Sequence, residues 1–162
     1  MKFHMRRRDK QITEEAAMKK ILKSAKYVTL AMSMDNEPYL VSLSHGYDES
    51  RNCIYFHCAT EGKKLEILKA NNRVWGQAML DYGYVQNKCD HSYATVHFAG
   101  KAAFVEDPDE KRRAVECMIR QLEEAPEAFI ASFDFGRLKK ETVVGRVDIE
   151  YMTGKKSPEV AL

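Results

Sequence analysis

The stretch CIYFHCATEGKKLEILKANNRV, residues 53–74, constrains the fold more than any other, because its hydrophobic period changes twice within a short span. Cys53 to Ala59 alternate around Tyr55 and Phe56, as a half-buried strand does. Thr60 is a helix-cap candidate, and Gly62 permits a backbone conformation that other residues resist, or the close approach of a ligand. Lys63 and Lys64 open a helix, and Arg73 opens the next strand. Cations favour the other end of a helix, so these two lysines oppose the dipole. Two cations beside free backbone N–H groups suit a phosphate. A solvated, Lys-rich helix start is the alternative reading of the same residues.

The rest of the chain reads as strands joined by tight turns, with helices at the ends. A helix is expected after a cap at Thr13, with Ala17, Ile21, Leu22 and Ala25 on its apolar stripe. Tyr27 to Met34 and Tyr39 to Tyr47 form a hairpin about the turn Asp35-Asn36-Glu37-Pro38. On its return strand, Leu40, Ser42, Ser44 and Gly46 share one small, polar face, suited to a flat ligand. Arg73 to Asp81 is a strand, 82–90 a polar loop, and Ser92 to Glu106 a long strand bent at Gly100. Asp107-Pro108-Asp109-Glu110 is a strong helix start. A short helix over Glu127–Phe133 and a strand over Thr142–Thr153 follow, then a polar tail from Gly154. No βαβ rhythm repeats, so the expected fold is a mainly antiparallel sheet that curves toward a small barrel.

A chain of 162 residues is one domain by length. Its 26 basic and 24 acidic residues nearly balance, so nothing points to nucleic acid or to a membrane surface. The run Arg6-Arg7-Arg8 with Lys10 reads as a solvated arm, and residues 1–4, ahead of Met5, as an optional extension. No transmembrane or signal segment is visible. Cys53, Cys58, Cys89 and Cys117 show no CxxC pair, which fits free thiols and a cytoplasmic protein.

Five segments in this order resemble a known family: MRRRDK (5–10), EPYLVSLSHGYD (37–48), IYFHCATEGKKLEILKANNRV (54–74), AGKAAFVEDPDEKRRA (99–114) and VDIEYMTGKKS (147–157). The chain resembles the pyridoxamine 5′-phosphate oxidase-like FMN-binding split barrels, and most of all their nitroimidazole-resistance branch. The resemblance implies a mainly β fold, a six-stranded antiparallel split β-barrel with flanking helices. It also implies a homodimer with FMN at the subunit interface. In the oxidases a Ser-Arg-Lys turn holds the FMN phosphate; here Gly62-Lys63-Lys64 stands in that turn, keeping charge but losing the bidentate fork. Where the oxidases' preceding strand carries an Arg and a Lys, this chain has Leu40 and His45. Thr95 aligns with a polar position that reaches the cofactor from the partner subunit. Cofactor contacts are thus expected at Ser42, His45, His57, Thr60, Lys63, Lys64 and Thr95.

The implied chemistry is reduction of a nitro group or another small aromatic substrate through bound flavin. It needs a proton donor beside an open flavin face. His57, at the end of the strand before the phosphate turn, is the candidate, since imidazole exchanges protons near neutrality. A histidine hydrogen-bonded at a strand end is the structural alternative. His97, among apolar neighbours, reads as structural, and Trp75 as core or interface. Cys89, Asp90 and His91 lack a full metal-ligand set. Two other functions stay open: a haem-binding split barrel with His45, His57 or His91 as axial ligand, and a flavin-binding sensor or store without turnover.

Overall fold

The protein is described by a computed structural model covering residues 5–136 and 142–162. The strands are β1 (Gln11–Ile12), β2 (Tyr27–Met34), β3 (Glu37–Ser44), β4 (Gly46–Asp48), β5 (Cys53–Cys58), β6 (Arg73–Val85), β7 (Asp90–Phe104) and β8 (Val143–Lys156). The helices are α1 (Glu15–Ser24), α2 (Lys63–Ala70), α3 (Pro108–Leu122) and α4 (Pro126–Ser132), with a 3-10 turn at Arg8–Lys10. All strand pairings are antiparallel. The order across the sheet is β3-β2-β6-β7-β8-β5-β4, with β1 added beside β8. Six of the eight strands are long; β1 and β4 have only two and three residues.

That order dictates the shape. β3 and β4 follow one another in the chain, separated only by His45, yet they stand at opposite ends of the sheet. A flat sheet cannot bring its two ends within one residue. The sheet therefore curls until its edges approach, and the result is an open, split barrel with flanking helices. The opening lies between β3, which pairs only with β2, and the Phe56–Cys58 end of β5, which pairs only with β8.

Alternation fills the barrel. Val28, Leu30, Ile54, Phe56, Val96, Phe98 and Val147 point inward and are buried, joined by Ile21 and Leu22 of α1. Each such side chain contributes about 1.5–3 kcal/mol by leaving water. On the opposite face of β5 and β8, Cys53, Tyr55 and Val144 pack against Ala114, Val115, Met118 and Ile119 of α3. Helix α3 starts as its sequence implies: Asp107 Oδ1 accepts from the Glu110 amide at 2.7 Å, with Pro108 in the first position. Glu110 then accepts from Arg51 (2.8 Å), Tyr55 (3.0 Å) and Arg146 (2.7 Å), fastening α3 to the sheet. Burial acts to raise the Glu110 pKa, but these donors outweigh it and the net shift is downward.

Several boundaries differ from expectation. The first hairpin turn tightens to Asp35-Asn36, both at positive φ, so Glu37 and Pro38 already belong to β3. The return strand breaks at His45, where the chain leaves one sheet edge for the other. There a Cβ on Gly46 would sit 2.6 Å from the Met118 backbone nitrogen, so glycine lets β4 lie directly on α3. Thr13 does not cap α1, which begins after Glu14 with no side-chain cap. Residues 82–85, expected as loop, continue β6, with a register shift between Asp81 and Tyr84. The bend expected at Gly100 is present as a register shift between β7 and β8. β8 runs three residues past Thr153, into the expected tail. Residues 1–4, expected as an optional extension, lie outside the described residues. No helix among the described residues is long and apolar enough to cross a membrane.

Candidate functional site: the split of the barrel

The split is walled by unpaired strand edges and closed at one end by the start of α2. Free edges present backbone N–H and C=O groups that some partner must satisfy. Gly62 precedes α2 at φ 133° and ψ 163°, a conformation that L-residues avoid; space is not the reason, because an added Cβ would meet nothing within 4 Å. Thr60 is exposed and does not cap the helix; the N-cap is Gly62, with no side-chain hydrogen bond. The Leu65 amide bonds the Gly62 carbonyl at 2.9 Å, and the amides ahead of it, those of Lys63 and Lys64, have no capping side chain.

Lys63 and Lys64 flank those amides. Lys63 Nζ lies 5.0 Å from the centre of the Tyr39 ring on β3, and Lys64 Nζ lies 5.7 Å from that of Phe56 on β5. One lysine thus leans on each wall of the split. Neither forms an ion pair with a carboxylate among the described residues. His57, two residues past Tyr55 on β5, is exposed, and neither ring nitrogen has a hydrogen-bond partner among the described residues. Ser42 is exposed on β3, with its hydroxyl 2.9 Å from that of Thr29. His57, Thr60, Lys63 and Lys64 thus lie along the β5–α2 connection at the edge of the split, with Ser42 on the facing strand; on β5 the His57 side chain takes the opposite face from Phe56.

The other two expected contacts lie elsewhere. His45 is fully buried between α1 and α3; Nε2 meets the Leu22 carbonyl at 2.9 Å and Gln121 at 2.9 Å, and Nδ1 has no partner. Burial lowers its pKa. His45 is a pivot residue, folded into the core where the chain crosses between sheet edges. Thr95 is three strands from β3, and its hydroxyl donates to the Ala78 carbonyl at 2.9 Å and accepts from Gln77 at 3.3 Å. Of the haem-ligand candidates, His45 is buried and engaged, and His91 is held by Asp81 at 2.6 Å. His57 alone is free.

The outward face of β2, β3, β6, β7 and β8 forms a second surface that the sequence shows only once register is known. Directly paired residues make a polar row, Ser42–Thr29–Gln77–His97–Thr153, beside a row holding Leu40, Ala31, Trp75, Ala99 and Tyr151. Leu40 is 65% exposed and Trp75 42%, unusual for large apolar side chains. Gln121 was likewise illegible in sequence. Its side chain accepts from the Tyr47 amide (2.8 Å) and donates to the carbonyls of Leu22 (3.0 Å) and Ala25 (2.9 Å), tying α3 to α1 and β4.

An open antiparallel barrel with a cationic helix start at its split defines a split-barrel protein. The chain belongs to the pyridoxamine 5′-phosphate oxidase family, whose model matches residues 14–156, and it is related to the nitroimidazole-resistance branch. Among solved structures, a candidate 5-nitroimidazole antibiotic resistance protein from Bacteroides thetaiotaomicron VPI-5482 is 26% identical, with a TM-score of 0.75 over 90% of this chain and 85% of that one. The FAD and haem binding protein from Mycobacterium smegmatis is 17% identical, with a TM-score of 0.76 over 94% of this chain and 77% of that one. The flavocytochrome Anf3 from Azotobacter vinelandii is 14% identical, with a TM-score of 0.77 over 95% of this chain and 72% of that one. The last two share the fold. No curated protein matches the chain.

Proposed function

We propose that the protein is a homodimeric FMN-binding oxidoreductase that reduces a nitro or other small aromatic substrate. The observation that carries this reading is the pair of ammoniums, Lys63 and Lys64, without a carboxylate partner among the described residues, one on each wall of the split, beside the first amides of α2. That donor set is made for a phosphate dianion and offers haem iron nothing. The name of the Bacteroides relative supports nitro compounds as substrates. Bound FMN supplies hydride and electron transfer.

The chain's own residues bind, orient and protonate. Lys63, Lys64 and the first α2 amides anchor the phosphate. The small Ser42 and Thr29 side chains leave the sheet flat enough for a planar ring. The exposed apolar row around Leu40 and Trp75 is the surface a second subunit covers, and that subunit brings its Thr95 side toward the ring. His57, with both ring nitrogens free, delivers a proton to the reduced substrate from Nδ1 or Nε2.

The test is the absorption spectrum of the purified protein, followed by acid release of its chromophore and by FMN titration. Paired flavin bands and released FMN support the reading. A Soret band, or a colourless protein that takes up no FMN, overturns it. His57→Ala should keep FMN bound and slow flavin-dependent nitro reduction; an unaltered rate removes His57 from the mechanism.

A further inference from the structure

Strand β6 outruns its neighbour. It pairs with β2 only at Trp75–Ala78, and from Met79 onward it pairs with β7 alone. Every second residue of a strand turns both its N–H and its C=O to the same edge, so Met79–Tyr82 presents such groups away from β7. None of them has a backbone partner there among the described residues. An open edge of this kind is a template for another strand. Gly83, at φ 92°, and the register shift between Asp81 and Tyr84 bend the arm, so the template ends there.

The groove along this edge carries unspent positive charge. Lys20 of α1 and Lys26, ahead of β2, line it with Tyr27, Met79, Leu80 and Tyr82. Neither lysine makes an ion pair or a hydrogen bond among the described residues, whereas their neighbours Lys19 and Lys23 are matched by Glu15 and Glu49. Asp81, the acidic side chain in the groove, already accepts from the Gly83 amide at 2.7 Å and lies 2.6 Å from His91 Nε2. Tyr27 (57% exposed), Tyr82 (52%) and Met79 (39%) leave apolar surface open beside the two cations. Free backbone groups, exposed apolar side chains and two unmatched ammoniums together select an extended chain that carries carboxylates.

We propose that the edge of β6 at Met79–Tyr82 is a docking site for an acidic, extended segment of another protein, which adds as a strand in the line that β2 leaves and sets its carboxylates against Lys20 and Lys26. Main-chain hydrogen bonds to the edge hold the segment. Its side chains alternate, with acidic groups on the lysine side and apolar groups against Tyr27 and Met79. The site uses none of the residues placed at the split, so it stands whether or not the protein binds FMN.

The test titrates the unsubstituted protein with a fluorescein-labelled, capped peptide that alternates glutamate with valine, read by fluorescence anisotropy. Binding should be saturable and should weaken about tenfold in the double variant Lys20→Glu, Lys26→Glu, whose positions are exposed and tolerate the change. A peptide with lysine in place of glutamate should not bind. The acidic peptide N-methylated at every residue has lost its edge-pairing donors and should bind about tenfold more weakly. Hydrogen exchange should slow at Met79–Tyr82 when the acidic peptide is bound. No saturable binding of that peptide, equal binding of the lysine or the N-methylated peptide, or an unaltered affinity in the double variant overturns the site. Exchange that slows on β3 in place of β6 overturns it too. Self-association that slows exchange at the same amides without peptide assigns the edge to a second copy of the chain and refutes the acidic partner.

Discussion

Replacing both Lys63 and Lys64 with alanine separates function from folding, because the two respond in opposite directions. In the folded chain these ammoniums have no carboxylate partner among the described residues and sit at the positive end of α2. Removing each cation relieves an unfavourable dipole interaction of about 0.3–1 kcal/mol, and alanine is the better helix former. Stability in urea should therefore stay level or rise. FMN affinity should fall. Charge-assisted hydrogen bonds contribute about 1.5–3 kcal/mol each, and the exposure of Lys63 argues for the lower figure. Two such contacts give ~3 kcal/mol, or roughly a 150-fold rise in Kd. The assay is fluorescence titration with FMN and with riboflavin, which lacks the phosphate. FMN should lose its advantage while riboflavin binding stays the same. Equal losses for both ligands, or none for either, would refute the phosphate assignment.

Two further outcomes test the scaffold. Gln121→Leu removes three hydrogen bonds to backbone groups, at about 1 kcal/mol each, so thermal denaturation should show a midpoint lower by roughly 6–12 °C; a loss under ~2 °C would mean that water replaces the amide. His45 is buried and its folded pKa lies below the unfolded value, so the unfolded chain binds the extra proton on acidification. Its contribution is complete above about pH 6.5 and is lost as the pH falls below that, ahead of the Glu110 contribution, which is lost only in the carboxylate range. Urea midpoints between pH 8 and pH 5 should decline, and His45→Gln should flatten the decline; parallel curves for the two proteins would place the sensitivity elsewhere.

The elements legible in sequence are those whose signal is local. Asp107-Pro108 with Glu110 announces α3, alternation announces β2, and Gly62-Lys63-Lys64 marks the start of α2, whereas β5, expected to be half-buried, is buried on both faces from Cys53 to Phe56 because α3 covers its outer side. What stayed hidden depends on partners distant in the chain. His45 looks like one more residue on a strand face until the sheet order shows that the chain must cross there from one edge to the other. Tyr82 and Tyr84 read as loop because their arm of β6 projects with both rings exposed, so no burial alternates, and Gly83 at φ 92° adds a turn signal within a strand. Thr13 and Thr60 have cap chemistry, but each helix begins a residue or two later. The row from Ser42 to Thr153 joins five strands and exists only once their register is set.

The pairing of β8 also sets a timetable for synthesis. It is the partner of β1, β5 and β7, strands drawn from residues 11 to 104, so each of them waits for a segment that leaves the ribosome after residue 142. Long-range pairing of this kind folds slowly, and translation at about 5–20 residues per second keeps those edges open for seconds. Until β8 arrives, the nascent chain exposes Val96, Phe98, Ile54 and Phe56 on incomplete sheets. Cellular yield of this protein should thus respond more to chaperone supply and translation speed than its final stability would suggest.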